Sequence, residues 1–276
     1  MLLSFIFFFV GLAVGSFLNV VIQRSERGET LIGRSHCDSC NTTLTWRELI
    51  PLISFIYQKG RCRSCDSVLS AQYPIVELNT GIIFAAIAGR PFFEMIFFGD
   101  IFSLLILGVL LATAATMIVV VVTDFNYHII LNGSVFLLAL SGVAFMLARN
   151  GLVCIPGLST SCAFFSFSAM AQDIAASIMA VVFIFAIWFF SKGRAMGFGD
   201  VKLIGATSLI LGFPLSILAV MFSFWLGGIW GVGLLASGMR GLKSQIAFGP
   251  FIIGGTILAF LFGRSFLMSS GFYYLL

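Results

Sequence analysis

A chain of 276 residues that is 60% hydrophobic and 9% charged, with a mean hydropathy of +1.11, lacks the polar surface a water-soluble fold needs. Those values exclude a soluble globular class and predict an all-α polytopic membrane protein. The formal net charge of +4 suits anchoring against anionic lipid and calls for no nucleic-acid partner.

Apolar runs predict about eight membrane-spanning helices, at roughly 2–22, 75–98, 102–123, 128–148, 174–191, 201–212, 214–237 and 247–268. The first has no basic residue before its apolar stretch and is followed by Arg24 and Arg27, so it reads as a retained span and not as a secretory signal. The sixth is short and runs into Gly212-Phe213-Pro214, which fits a tilted or reentrant helix. With the N-terminus outside, 12 of the 15 Lys and Arg residues fall on the cytoplasmic side, leaving Arg90, Arg149 and Arg264 outside. This bias orients the chain, and the pattern divides it into a first transmembrane helix (1–22), a hydrophilic cytoplasmic loop (23–74) and a helical membrane core (75–276).

Near the inner end of the first span, Ser16 and Asn19 are placed to hydrogen-bond to neighbouring helices or to line a substrate path. The loop that follows carries Cys37-Asp38-Ser39-Cys40 and Cys62-Arg63-Ser64-Cys65. Two Cys-x-x-Cys knuckles supply four thiolates that can close a tetrahedral zinc site, structural because no position is left for water; two disulfides, which a reducing cytosol disfavours, and an iron–sulfur cluster are the alternatives. Gly33, Gly60 and the flanking basic residues suit tight knuckle turns and low thiol pKa values. His36 is a substitute ligand or a solvated loop histidine, and Cys154 and Cys162, in the outer loop, are a disulfide pair or two free thiols.

Asp124 closes the third predicted span and Asp200, in Met196-Gly197-Phe198-Gly199-Asp200, opens the sixth. Two complete spans separate them, so both fall at the cytoplasmic boundary. Carboxylates near a bilayer cost roughly 2.5–3.5 kcal/mol at a helix centre, which marks retained ones as functional candidates. Two that meet around one water form an aspartic-protease pair, one accepting the water's proton while the other polarises the carbonyl. Helix dipoles favour Asp200 as the base and Asp124 as the acid. Gly197 and Gly199 leave room for an extended substrate backbone, and Glu77, at the start of the second span, is a candidate for substrate binding or methyl transfer. Lys202 reads as an interfacial lysine and His128 as an interfacial histidine within reach of Asp124.

These residues resemble the type IV prepilin peptidases. The likeness runs from Gly15 to about Phe251. It rests on Gly15-Ser16-Phe17-Leu18-Asn19-Val20-Val21-Ile22 with Arg24, the four cysteines, Gln72-Tyr73-Pro74-Ile75-Val76-Glu77, Asp124, Met196-Gly197-Phe198-Gly199-Asp200-Val201-Lys202-Leu203 and Phe248-Gly249-Pro250-Phe251. The resemblance implies removal of a basic leader from prepilin or pseudopilin precursors after a glycine, at the cytoplasmic face of a bacterial inner membrane. Methylation of the new N-terminal amine from S-adenosylmethionine follows. It implies Asp124 and Asp200 as the catalytic pair and Cys37, Cys40, Cys62 and Cys65 as the zinc ligands. No glycine-rich nucleotide loop accompanies the methyltransferase role. The family's Ile-Pro step appears here as Ile130-Leu131, and Ala247 stands where a proline is usual, which bears on helix starts and not on chemistry. The alternatives are a Gly-x-Gly-Asp intramembrane protease that cuts other membrane segments, and a zinc-stabilised transporter whose carboxylates lie near the midplane.

Overall fold

A computed structural model describes residues 2–89, 101–150, 167–238 and 246–271. Among the described residues the chain is helical: α1 Leu2–Arg27, α2 Ile53–Tyr57, α3 Gln72–Ala88, α4 Ile101–Tyr127, α5 Asn132–Arg149, α6 Phe167–Phe190, α7 Phe198–Leu211, α8 Leu215–Ala236 and α9 Gly249–Ser269. A 3-10 turn, Trp46–Leu49, precedes α2. The bridges His36–Thr43 and Arg61–Val68 are isolated pairs outside any named strand. Six helices, α1, α4, α5, α6, α8 and α9, are long and apolar enough to cross a membrane. The other two expected spans are shorter: α3 has 17 residues, with 90–98 outside the described residues, and α7 has 14. The loop cysteines Cys154 and Cys162 also lie outside the described residues. Large apolar side chains such as Phe9, Phe136, Phe189 and Phe260 point outward, as a lipid-facing surface requires.

The chain divides into two compact units, Met1–Val119 and Val120–Leu276, with the boundary inside α4. In the first, α1 packs along α3. Lipid is as apolar as leucine, so burying apolar surface drives this contact little and close packing must supply it. A Cβ on Gly11 would stand 2.7 Å from the Gly81 Cα, and one on Gly15 would stand 2.7 Å from the Glu77 Cα. These two glycines let the backbones touch. Buried Phe84, Ala88, Leu107 and Leu111 form the adjoining core. At the end of α1, Arg24 is 7% exposed and donates to the carbonyls of Thr30, Gly33 and Arg34. Its guanidinium thereby folds the start of the cysteine loop back against the helix.

In the second unit α7 is the central element, packed by α5, α6, α8 and α9. Leu211, Leu218, Ala219, Phe222, Ala259 and Leu267 build its main apolar cluster. The last carbonyls of this 14-residue helix have no partner within the helix and need donors from elsewhere. Arg149 supplies them: one guanidinium nitrogen donates to the Ile210 and Leu211 carbonyls, at 3.3 and 2.7 Å. The other meets Asp173 at 2.7 Å, and Asp173 also accepts from Asn150 and from the Phe213 backbone N–H. Arg149, expected on the outer side, is the clamp on the α7 C-terminus.

Candidate active site and metal centre

Asp124 lies in the last turn of α4 and is 5% exposed; Asp200 lies in the first turn of α7 and is 6% exposed. Both belong to the Val120–Leu276 unit and are within electrostatic reach of each other. Asp200 is the third helical residue, and its Oδ2 accepts from the Gly197 N–H at 3.0 Å. Gly197, not Asp200, is the N-cap. Asp124 Oδ2 accepts from the Gly249 N–H, the first residue of α9, at 2.7 Å. The expected asymmetry of dipoles is therefore offset. Asp124 sits at the carbonyl end of its own helix, but it is held by the amide end of another. Each carboxylate uses one oxygen on a backbone amide and retains lone pairs for a water or a substrate group.

Neighbouring glycines make this arrangement possible. A Cβ on Gly249 would stand 2.6 Å from Asp124 Oδ2, inside van der Waals contact. One on Gly199 would stand 3.1 Å from the Ile130 Cβ, so that glycine lets the α7 N-terminus pack on the link between α4 and α5. A Cβ on Gly197 would meet Asp200 Oδ2 at 3.5 Å, an ordinary contact. Leu131, in place of the proline of the resemblance, has φ −69°, the angle a proline ring imposes, and α5 starts normally after it. Pro250 occupies the first turn of α9 and leaves the Gly249 N–H free for Asp124. Lys202 donates to the Asn132 side chain at 3.1 Å and lies over the Phe198 ring. His128 takes a positive φ of 56°, with its backbone N–H on the Asp124 carbonyl.

The four loop cysteines form a second centre. Their Sγ atoms all lie within 4.8 Å of one another, and Cys37 and Cys65 are 3.9 Å apart. Zinc–sulfur bonds of about 2.3 Å in a tetrahedron place sulfurs ~3.8 Å apart, so the cluster has the size of a metal site. The four cysteines are free of disulfides. The two knuckles are built alike: Cys37 N–H donates to the Thr42 carbonyl and Cys62 N–H to the Ser67 carbonyl, while Asn41 and Asp66 donate back to the first cysteine of each. The left-handed turn position is Asn41 in one and Asp66 in the other, at φ 55° and 57°. Gly33 and Gly60, expected to ease tight turns, also take positive φ, 132° and 68°, just outside the two Cys-x-x-Cys turns. As thiols the cysteines share protons unevenly. Burial opposes ionisation of Cys37, but the N–H groups of Cys40 and Ser39 outweigh it and lower its pKa to about 6. Cys62 is pushed up to about 11 against the pull of the Cys65 and Ser64 amides, by burial and by the Cys37 and Cys65 thiols. His36 pairs with Thr43 and stands outside the cluster.

Glu77, 7% exposed, faces this loop: its carboxylate accepts from the Leu52 N–H at 2.8 Å and from Ser16. Asn19 donates to the Tyr73 carbonyl. The two partners that hold the site in place, Gly249 and Arg149, carry no chemistry of their own. Only the Phe-Gly-Pro run signalled the first.

Residues 9–90 match the bacterial peptidase A24 N-terminal domain, and residues 111–232 match the type IV leader peptidase family. Among curated proteins, the prepilin leader peptidase/N-methyltransferase of Bacillus subtilis (strain 168) is 30% identical over 265 residues, covering 96% of each chain. That of Aeromonas salmonicida (strain A449) is 28% identical over 292 residues, covering 95% of this chain and 91% of its own. The Myxococcus xanthus (strain DK1622) protein of the same name is 46% identical over 84 residues, 30% of this chain and 25% of its own. No solved structure matches. With both family models aligned on the cysteine and aspartate regions and a relative matched nearly end to end, the chain belongs to the type IV leader peptidase family.

Proposed function

We propose that this protein removes the leader of prepilin-like precursors with Asp124 and Asp200 and then methylates the exposed N-terminal amine. The observation that carries the peptidase half is the pair of buried carboxylates, each pinned by a backbone amide at a helix N-terminus and within electrostatic reach of the other. Two such groups hold one proton between them more readily than none. The ionised one takes a proton from water as it attacks the scissile carbonyl, and the protonated one donates to the developing oxyanion. Because an amide supports both, the acid and base roles belong to the pair and not to a fixed member. Gly197 leaves room beside Asp200 for an extended backbone, whereas the space that a Gly199 side chain would take is filled by Ile130.

Zinc is the metal that four cysteine sulfurs in a compact tetrahedral cluster suit best, and it braces the loop without entering the chemistry. Cys37, Cys40, Cys62 and Cys65 hold it. S-adenosylmethionine supplies the methyl group when bound. The bias of Lys and Arg supports an orientation with the loop and both aspartates on the cytoplasmic side and the N-terminus outside, and the prepilin reading implies a bacterial inner membrane. A prepilin suits that geometry, since its basic leader stays in water while its apolar helix lies in lipid.

The test is to mix the purified protein with a prepilin in detergent, with and without S-adenosylmethionine, and to weigh the products by mass spectrometry. A trimmed product that gains one methyl group only with the donor supports both halves. An intact leader would overturn the peptidase, and a trimmed but never methylated product would overturn the second activity.

A further inference from the structure

Within Met1–Val119, the cysteine loop, α1 and α3 enclose a cavity of about 140 Å³ that the aspartate chemistry does not use. Its polar lining includes Ser16, Asn19, Gln23, Asp38, Tyr73 and Glu77. Asn19 is 2% exposed, and its Nδ2 donates to the Tyr73 carbonyl at 3.2 Å, which fixes the nitrogen end of the amide. Its Oδ1 is then left buried with no hydrogen-bond partner. Glu77 accepts from the Leu52 N–H and from Ser16, yet no Lys, Arg or His among the described residues pairs with it.

A buried carboxylate without a cation and a buried carbonyl oxygen without a donor both cost free energy until a ligand satisfies them. Two of the lining donors are already engaged. The Gln23 amide is spent on the Tyr73 hydroxyl and Asp38, and the Tyr73 hydroxyl on Asp38 at 3.2 Å. Asp38 in turn is neutralised by Arg27 at 2.7 Å. What this lining lacks is a compact cation with several N–H donors.

We propose that this cavity binds a primary ammonium group, with the Glu77 carboxylate and Asn19 Oδ1 as its acceptors. An ammonium offers three donors, and its charge compensates Glu77. The assignment rests on the methyl-transfer reading, in which both reactants carry such a group: the trimmed peptide at its new N-terminus, and S-adenosylmethionine at its amino-acid end. Glu77 and Asn19 are positioned to hold one of them beside the cysteine loop.

The experiment titrates the full-length protein in detergent by calorimetry with three probes: a peptide copying a trimmed prepilin N-terminus, the same peptide N-acetylated, and S-adenosylmethionine. Glu77→Gln and Asn19→Leu are compared with wild type, and bound metal confirms that the loop is folded. Loss of a charge-assisted hydrogen bond predicts at least about tenfold weaker binding in Glu77→Gln and several-fold weaker binding in Asn19→Leu. If the free-amine peptide is affected and acetylation mimics the variants, the ammonium is the peptide's; if only S-adenosylmethionine is affected, it is the donor's. Binding of both probes within twofold of wild type in both variants overturns the proposal, as does wild-type protein that binds neither. Binding is read without turnover, so a wild-type protein that never methylates sinks the methyl-transfer reading while this result still decides the cavity.

Discussion

One backbone N–H at Gly249 holds the Asp124 carboxylate, and the hydrogen in place of a side chain there is what admits it. Gly249→Ala puts a methyl group 2.6 Å from Oδ2, so the carboxylate must swing away from Asp200's field. Displacing a reacting group by an ångström removes much of its effect, so leader cleavage should fall at least about tenfold. Gly228→Ala, whose Cβ meets nothing within 4 Å, should cleave at the wild-type rate in the same assay. Both aspartates were legible in the sequence because charge is scarce in so apolar a chain. The amide partner of Asp200 lies three residues away at Gly197, but that of Asp124 was not legible, since the Gly249 contact spans 125 positions and no local spacing encodes it. The knuckle turns show the same limit. Gly33 and Gly60 take positive φ beside the knuckles, but within them the left-handed position falls to Asn41 and Asp66, which tolerate that region.

Among the elements, α7 carries Asp200 on one end and depends on Arg149 at the other. Asp173→Ala leaves the guanidinium partly buried and unpaired and strips the Phe213 N–H of its acceptor. The expected loss is about 3 kcal/mol, the low end for a broken buried pair, because the Arg149 side chain keeps 30% of its exposure. Thermal unfolding in detergent would show it as a lowered midpoint, with Asp173→Asn less affected because the amide oxygen still accepts. The cysteine loop holds α2 and little other helix, so its order depends on the metal. Purified protein should carry about one metal ion per chain, and strong chelation should open residues 35–70 to protease while the membrane helices keep their helical content. Apolar runs located the long spans well. They placed the sixth span at 201–212, close to α7 at Phe198–Leu211, but nothing in hydropathy signalled the Arg149 clamp on its last carbonyls.

At the scale of the molecule, composition alone established a multi-pass helical membrane protein, and the pairing of the cysteines and the aspartates followed from their spacing and parity. The division at Val119 did not, because it falls inside one continuous apolar helix with no linker to mark it. The cysteine cluster lies in one unit and both carboxylates in the other, so the candidate metal centre and the candidate active site belong to separately packed parts of the chain. The aspartates act on one water only if they act as a unit, and units of this kind are grossly non-additive when disrupted. Single-turnover cleavage of a prepilin by Asp124→Asn, Asp200→Asn and the double variant tests this. Each single change should slow cleavage at least about a thousandfold and the double no further; a single variant that retained a near wild-type rate would contradict a shared water.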